Sequence, residues 1–199
     1  MNRLASVTKP RNRYSIMRHG QSMANVRGVI VSDPASGLRD EYGLSPLGRK
    51  QVLVSAKESG LPPSTLIFSS DFSRAAQTAE IVGECLGAGE VVLAKELRER
   101  FFGAWEGTSS GNYAQVWAAD ADDPDHRRNG VEPASAVLDR ATAFVAGLEA
   151  EFEDRDILLV SHGDTLQILQ AGFQGMSPAA HRSLPHLETA ELRRGWRVA

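Results

Sequence analysis

Two apolar segments of this chain end in the same dipeptide, His-Gly, and this repetition restricts the fold more than any other feature. The segment 13–18 precedes His19-Gly20, and the segment 157–160 precedes Ser161-His162-Gly163. Both segments are typical of β-strands, and the helices predicted between them make strands alternate with helices along the chain. Such alternation favours an α/β sandwich with a largely parallel sheet. Because ligands bind beyond the carboxyl ends of the strands in open α/β sheets, we expect both histidines at one edge.

The other predicted elements depend on caps and apolar spacing. Ser45-Pro46 marks a helix start, because serine caps a helix N-terminus and proline fits the first turn. Asp71 is expected to cap a further helix, which Gly87 ends. Residues 26–43 have no clear period and are predicted to be a long loop, a kind of segment that is often functional. The predicted helices are 45–59, 71–87, 134–152 and 165–171, and the remaining predicted strands are 65–69, 91–93 and 188–192.

Length and composition predict one sizeable domain. Of the 199 residues, we expect 1–12 to form a loose N-terminal tail and 13–199 to form a single domain. With 22 Lys and Arg against 25 Asp and Glu, the net charge of −3 excludes a globally basic nucleic-acid binder. The single cysteine, Cys85, excludes an intramolecular disulfide. Since neither a signal-peptide pattern nor an apolar run of roughly 18 residues occurs, we expect a cytoplasmic protein with no membrane or nucleic-acid partner.

Arginines accompany the first His-Gly pair and one later helix start. Arg18 directly precedes His19, and Arg74 lies in the first turn of the helix after the 65–69 strand. The free N–H groups of a helix start favour anions, and a guanidinium donates paired hydrogen bonds to phosphate oxygens. With His162 at the equivalent strand end, two imidazoles and two guanidiniums predict a pocket for a phosphoryl group, built without a metal.

Four ordered segments of the chain resemble the signature motifs of the histidine phosphatase superfamily, which has the phosphoglycerate mutase-like fold. They are Arg18-His19-Gly20 with Gln21-Ser22 and Asn25, the second-arginine segment 69–79, the acid-residue segment 97–107, and Ser161-His162-Gly163-Asp164. The resemblance covers residues 13–192. It implies a three-layer α/β/α sandwich with a largely parallel central sheet, in which residues 13–199 form the catalytic domain.

The resemblance also implies a role for each residue at the matching positions. His19 is expected to be the nucleophile and to carry a phosphohistidine intermediate. Arg18, Arg74 and His162 are expected to hold the phosphoryl oxygens and to offset charge in the transition state. Glu99 is expected to protonate the leaving oxygen and then to activate the water that cleaves the phosphohistidine.

Further expectations concern the rest of the site and its ligands. Motif position selects Glu99 over Glu96 and Glu106, which lie in the same charged stretch. The resemblance implies a small phosphorylated metabolite as substrate, with no cofactor and no metal. The remaining residues expected to contact phosphate are Gln21, Ser22, Asn25 and Gly163.

The reaction itself is open between hydrolysis and transfer. Only residues 108–129 separate the acid-residue segment from Gly130, and this short lid favours hydrolysis by a metal-independent phosphatase. The alternatives are a phosphoglycerate mutase-type phosphotransferase, a protein phosphohistidine phosphatase and a non-catalytic module that binds a phosphorylated ligand.

Several polar residues near the motifs bear on the substrate. Asp164 departs from the asparagine or glycine that is common at this position of the family, and a carboxylate pointing inward would disfavour heavily anionic substrates. Gln167 stands where a basic residue is frequent. Arg127-Arg128 in the lid either receives a second anionic group or forms an exposed polar turn. His186 lies just before the predicted strand 188–192 and is a candidate for lining the pocket.

Overall fold

A five-stranded sheet forms the centre of the computed structural model, which describes residues 1–197. Its strands are β1 (Arg13–Arg18), β2 (Leu66–Ser69), β3 (Val91–Leu93), β4 (Asp156–Ser161) and β5 (Leu192–Trp196). They are arranged in the order β3-β2-β4-β1-β5, with β5 antiparallel to β1 and the other pairs parallel. The predicted largely parallel sheet is confirmed. The last two residues of the predicted domain, 198–199, lie outside the described residues.

Helices cover both faces of this sheet. They are α1 (Met23–Arg27), α2 (Pro34–Gly37), α3 (Pro46–Glu58), α4 (Ser73–Leu86), α5 (Tyr113–Asp122), α6 (Ala134–Glu151) and α7 (Gly163–Phe173). Helices α3 and α4 pack on one face, and α6 and α7 pack on the other. These are the three layers that the resemblance implied. None of the helices within residues 1–197 is both long and apolar enough to cross a membrane.

The central strand β4 contributes to the core on both faces of the sheet. Successive residues of a strand point to opposite faces, so Ile157 and Leu159 pack against α6 and α7, whereas Leu158 and Val160 pack against α3 and α4. All four side chains are buried. This explains why the segment has a continuous apolar run instead of the alternation that a strand with one solvated face shows.

The predicted helix after β2 is confirmed at its C-terminus and wrong at its N-terminus. Gly87 ends α4 in the left-handed conformation, with φ of 64°. The helix begins at Ser73, however, and Asp71 does not cap it. The Asp71 carboxylate instead accepts two hydrogen bonds from Arg98, at 2.7 and 2.6 Å, in a bidentate pair that uses both of its oxygens.

Three other segments differ from the sequence prediction. The last strand begins at Leu192 instead of spanning 188–192, because the backbone N–H of Glu191 closes a turn on the Glu188 carbonyl. The segment 26–43, predicted to be a loop, contains the end of α1, the short α2 and a 3-10 turn. The lid segment 108–129 contains α5, for which no helix was predicted.

The N-terminal segment packs on the α6–α7 face, whereas a loose tail was expected. A 3-10 turn spans Arg3–Ser6, and its Leu4 is only 2% exposed within the core. The side chain of Asn2 donates a hydrogen bond to the carbonyl of Gly172 at 2.8 Å. One buried leucine and one capping asparagine therefore fix a segment whose sequence is mostly polar.

The parallel pairing of β1 with β4 brings the two His-Gly segments together. Arg18 lies opposite Ser161 in this register, and the backbone N–H of His19 donates to the Ser161 carbonyl at 3.0 Å. After the end of β2, the backbone N–H of Ser70 donates to the carbonyl of Val160, also at 3.0 Å. Three strand ends therefore meet at one edge of the sheet.

Two glycines hold the loop after β1 against the start of α3. A Cβ on Gly20 would lie 2.7 Å from the carbonyl oxygen of Gly48, and a Cβ on Gly48 would lie 2.0 Å from that of Gln21. Both separations are too short for a side chain, so the backbones can approach this closely only through glycine.

Replacing Gly48 with alanine tests this contact. We expect the Gly48→Ala variant to lose roughly 1–3 kcal/mol of unfolding free energy, because the methyl group must displace the backbone of Gln21. Gly147 is the matched control: it lies in α6 with open space around the Cβ position. Gly147→Ala should gain roughly 0.5–1 kcal/mol from helix propensity alone. Urea denaturation measures both changes, and a gain in both variants would contradict the packing described.

Candidate active site

His19 lies at the edge of the sheet where the three strand ends meet, and its ring is fixed in one tautomer. Its Nδ1 is 2.7 Å from the carbonyl oxygen of Gly20, and because a carbonyl only accepts, Nδ1 carries the proton. The lone pair of Nε2 then accepts a hydrogen bond from Arg74 Nε at 3.1 Å. Burial, with Arg74 and Arg18 nearby, holds the pKa of His19 well below its ordinary value. The ring is therefore neutral at neutral pH, with Nε2 able to act as a nucleophile.

Arg74 reaches His19 from the first turn of α4. Besides its bond to His19, its Nη2 donates to the carbonyl of Val31 at 3.0 Å. Its Nη1 is buried and has no acceptor among the described residues. Burying a guanidinium is costly unless another charge compensates it. A phosphoryl group beside His19 would provide both the missing acceptor and the compensating charge.

His162 stands beside His19, as the strand pattern predicted. The two ring centroids are 5.1 Å apart. His162 Nε2 and the Ser70 hydroxyl form a hydrogen bond of 2.9 Å, while Nδ1 is buried without a partner in the described part of the chain. Burial, followed by the charge of Arg74, holds the pKa of His162 well below its ordinary value. The side chain is fully buried and is not among the residues that line the pocket around His19.

Glu99 faces the same pocket from the segment between β3 and α5. Its Oε1 accepts hydrogen bonds from the backbone N–H of Arg100 at 3.0 Å and of Thr165 at 3.2 Å, and from the Thr165 hydroxyl at 3.1 Å. Burial and the neighbouring Asp164 raise the pKa of Glu99, although Arg74 opposes the shift. A raised pKa lets the carboxyl keep its proton closer to neutral pH, which a general acid requires.

His19, Arg74 and Glu99, together with Arg18, line a small pocket of about 130 Å³. Ser22, Asn25 and Gly163, which were expected to contact phosphate, line it. The Asn25 Oδ1 accepts from the backbone N–H and the hydroxyl of Ser22, so its amide NH₂ remains to donate to a ligand. Gln21 does not line the pocket, because its Oε1 accepts from the Ser45 hydroxyl at 2.7 Å and holds the side chain at the start of α3.

Helix α5 supplies an aromatic wall that the sequence reasoning missed. Tyr113 and Trp117 line the pocket with their rings stacked, 5.4 Å apart and 10° from parallel. The guanidinium of Arg182 lies 3.7 Å from the centre of the Trp117 ring. The spacing of Tyr113, Val116, Trp117 and Asp120 is that of one helix face, and this signal could have identified the element.

Asp164 lines the pocket, but its carboxylate is bound by protein groups. It accepts from the Trp117 indole N–H at 2.9 Å and from Arg100 at 3.3 Å. Arg100 also donates two hydrogen bonds to Asp120, at 2.6 and 2.7 Å, in a fully buried ion pair. Burial alone would raise the pKa of Asp164, but His181 and Arg100 lower it below its ordinary value. The expected repulsion of anionic substrates is therefore offset inside the protein.

The other candidates from the charged segments lie elsewhere. Arg127 lines a separate cavity on the far side of Glu99, and Arg128 is exposed, so neither lines the pocket. The Glu106 carboxylate accepts from the backbone and hydroxyl of Ser32, and Glu96 is exposed. Within residues 1–197, no group of three or more His, Cys, Asp and Glu side chains is arranged to hold a metal ion.

The fold and this pocket together define an α/β protein of the phosphoglycerate mutase-like class with a site for an anionic group. The chain belongs to the histidine phosphatase superfamily (branch 1), whose family model matches residues 15–194. The motifs that carried the resemblance lie within this range.

Several relatives of the chain are named phosphatases, and others carry phosphoglycerate mutase names. The glucosyl-3-phosphoglycerate phosphatase of Mycobacterium tuberculosis is 33% identical over 177 residues, covering 80% of this chain and 74% of that protein. The adenosylcobalamin/alpha-ribazole phosphatase of Salmonella typhimurium is 29% identical, covering 84% of this chain and 82% of that protein. A solved structure of a mycobacterial glucosyl-3-phosphoglycerate phosphatase in complex with VO3 superposes with a TM-score of 0.77 at 29% identity, covering 92% of this chain and 90% of that one.

The buried Arg100–Asp120 pair predicts an unequal cost for removing carboxylates. Asp120→Asn should lower the unfolding free energy by roughly 3–5 kcal/mol, because it leaves the buried Arg100 charge with weaker compensation. Glu41→Gln, which breaks exposed pairs with Arg27 and Arg39, should lower it by about 1 kcal/mol at most. Chemical denaturation of both variants measures the difference. Equal losses would show that the buried pair contributes no more to the unfolding free energy than an exposed pair does.

Proposed function

We propose that this chain is a metal-independent phosphomonoesterase that works through a phosphohistidine on His19, with residues 13–199 as one catalytic domain. The observation that carries the proposal is the tautomer of His19: Nδ1–H donates to the Gly20 carbonyl, so the lone pair of Nε2 faces the pocket beside Arg74. Membership of the histidine phosphatase superfamily and the phosphatase names of the relatives support it.

In the first step the lone pair of His19 Nε2 attacks phosphorus, and the bond from phosphorus to the leaving oxygen breaks. Arg74 Nε, which donates to Nε2 in the free protein, turns to a phosphoryl oxygen once Nε2 is bonded to phosphorus. Arg18 and the unpartnered Nη1 of Arg74 bind further oxygens. Glu99 gives its proton to the leaving oxygen, so that the product is a neutral alcohol.

In the second step Glu99, now a carboxylate, takes a proton from water while the water oxygen attacks phosphorus. The bond from phosphorus to Nε2 breaks, and its electron pair returns to His19. Orthophosphate leaves, Glu99 is again protonated and His19 is again neutral. The two arginines remain hydrogen-bonded to the phosphoryl group during this step, which provides the charge stabilisation that a metal ion supplies in other phosphoryl-transfer sites.

The proposed substrates are small phosphomonoesters. The phosphoryl group would occupy the end of the pocket at His19, and the leaving group would lie between Asn25 and the aromatic wall of Tyr113 and Trp117. With a pocket of about 130 Å³, well below the size typical of sites for larger ligands, most of a leaving group larger than a few atoms would extend into solvent. We therefore propose that recognition concentrates on the phosphoryl group and on the first atoms of the alcohol.

Replacing the nucleophile tests the mechanism. His19→Ala should lower kcat for p-nitrophenyl phosphate by about 10⁴-fold or more, because no other side chain can form the intermediate. Rapid quenching of the wild-type reaction should trap a base-stable, acid-labile phosphoryl group that the variant lacks, and chelators should leave wild-type turnover unchanged. Wild-type turnover in the variant, loss of activity with chelator, or isomerisation of 3-phosphoglycerate to 2-phosphoglycerate in place of hydrolysis would each rule the proposal out.

The loss of rate on replacing Glu99 should increase with the basicity of the leaving group. Glu99→Gln should slow alcohol release from alkyl phosphates by about 10²–10⁴-fold, and release of p-nitrophenol far less, because p-nitrophenolate leaves without a proton. The exposed Glu96→Gln is the matched control and should behave as wild type.

The pH dependence of the same variants gives a second test of the acid. The raised pKa of Glu99 keeps the acid protonated above the usual carboxyl range, so kcat/KM for alkyl phosphates should fall as pH rises through that raised value. In Glu99→Gln this alkaline decline should be absent. A decline that persists in the variant would assign the proton to another group.

A further inference from the structure

Arg18 is held at one nitrogen by two acceptors of the segment that precedes β5. Its Nη1 lies 2.7 Å from Nε2 of His186 and 2.8 Å from the carbonyl oxygen of Leu187. A guanidinium Nη carries two hydrogens, so these acceptors use both. Nothing in the described chain accepts from Arg18 Nε, although that atom is buried, or from Nη2.

This arrangement decides which edge of the guanidinium is free. Nε–H and the adjacent Nη2–H point in nearly the same direction and form the fork that binds two oxygens of one phosphate or carboxylate. Because His186 and Leu187 occupy Nη1, the fork of Arg18 is left unoccupied in the pocket that also contains His19. The orientation of the fork depends on both acceptors, since a single carbonyl would let the guanidinium rotate about that bond.

We propose that His186 is a positioning residue that orients Arg18 for phosphate binding, and that it does so only as the neutral imidazole. The proposal rests on the proposed function in one respect, namely that Arg18 binds the phosphoryl group. An arginine always donates, so Nε2 of His186 must be the acceptor and Nδ1 must carry the ring proton. Protonation of Nε2 would remove the acceptor and place two cations in contact.

The surroundings of His186 fix its backbone and pack against its ring. Arg193, from β5, donates to the backbone carbonyls of Pro185 and His186 and so fixes the segment against the sheet. On the other side, a Cβ on Gly163 would lie 3.2 Å from the imidazole and 3.4 Å from the Arg18 guanidinium carbon. The imidazole and the guanidinium therefore both pack against the first residue of α7, at the pocket edge.

The charged groups around His186 favour the neutral ring. Arg18 and Arg182 disfavour the imidazolium, whereas Glu188 on its own segment and Asp164 on α7 favour it. Burial is the largest influence, and the balance lowers the pKa of His186 below its ordinary value. The hydrogen bond to Arg18 therefore persists through neutral pH, and it is lost as pH falls through that lowered pKa.

The experiment measures sulfate binding by calorimetry across acidic and neutral pH for wild type, His186→Gln and His186→Ala. Sulfate stays a dianion over this range, so the ligand does not titrate, whereas phosphomonoesters do. The Oε1 of glutamine can replace Nε2 as acceptor and does not ionise. Protonation of His19 and Glu99 is common to all three proteins and cancels in the ratio of their affinities.

We expect His186→Ala to bind sulfate about tenfold more weakly than wild type at neutral pH, the loss typical of a hydrogen bond to a charged group. His186→Gln should match wild type there and bind increasingly more tightly than wild type as pH falls. A constant ratio of wild type to His186→Gln across pH, or full affinity in His186→Ala, would overturn the proposal.

Turnover of p-nitrophenyl phosphate by the same three proteins separates this proposal from the proposed function. His186→Ala should raise KM more than it lowers kcat, and His186→Gln should restore KM. Sulfate binding that follows the expected pattern in a protein without turnover would retain the role of His186 and reject the phosphatase. Normal turnover with pH-independent sulfate ratios would do the reverse.

Discussion

The site depends first on one backbone interaction, the parallel pairing of β1 with β4. This register sets Arg18 opposite Ser161, so that the next residue of each strand is a histidine. The hydrogen bond from the His19 N–H to the Ser161 carbonyl extends the pairing past the strand ends and fixes the spacing of the two rings at 5.1 Å. A shift by one residue would send one histidine to the opposite face of the sheet, because side chains alternate along a strand.

That backbone frame permits an otherwise unfavourable concentration of cations. Arg18 and Arg74 sit beside His19 with no direct carboxylate partner of their own among the described residues. Burial lowers the pKa of both arginines, because removing a guanidinium from water disfavours its charged form. Burial, reinforced by the same cations, lowers the pKa of both histidines, so a site that contains two arginines still presents an unprotonated nucleophile. The net charge of −3 therefore describes the whole chain and gives no sign of this local concentration of arginines.

The parts predicted from sequence are those that local pattern controls. The apolar run before His162 forms strand β4, and Gly87 ends α4, as their sequences predicted. Both depend mainly on residues close in sequence. Asp71 was predicted wrongly because a distant arginine, Arg98, competes for its carboxylate. Gln21 likewise has a polar partner distant in sequence, since Ser45 holds its side chain at the start of α3 and outside the pocket lining. Long-range polar partners of this kind leave no periodic signal in a sequence.

Asp164 shows how a partner distant in sequence can change the role of a residue within a motif. Taken alone, Asp164 adds a negative charge to an anion site, and this was the reason to expect a poorly anionic substrate. In the folded chain Arg100 and the Trp117 indole bind that carboxylate, and Arg100 also pairs with Asp120 of α5. The charge therefore anchors the lid helix. The anchored helix presents its aromatic wall to the pocket, so the hydrogen bond from Trp117 makes Asp164 part of the support of that wall.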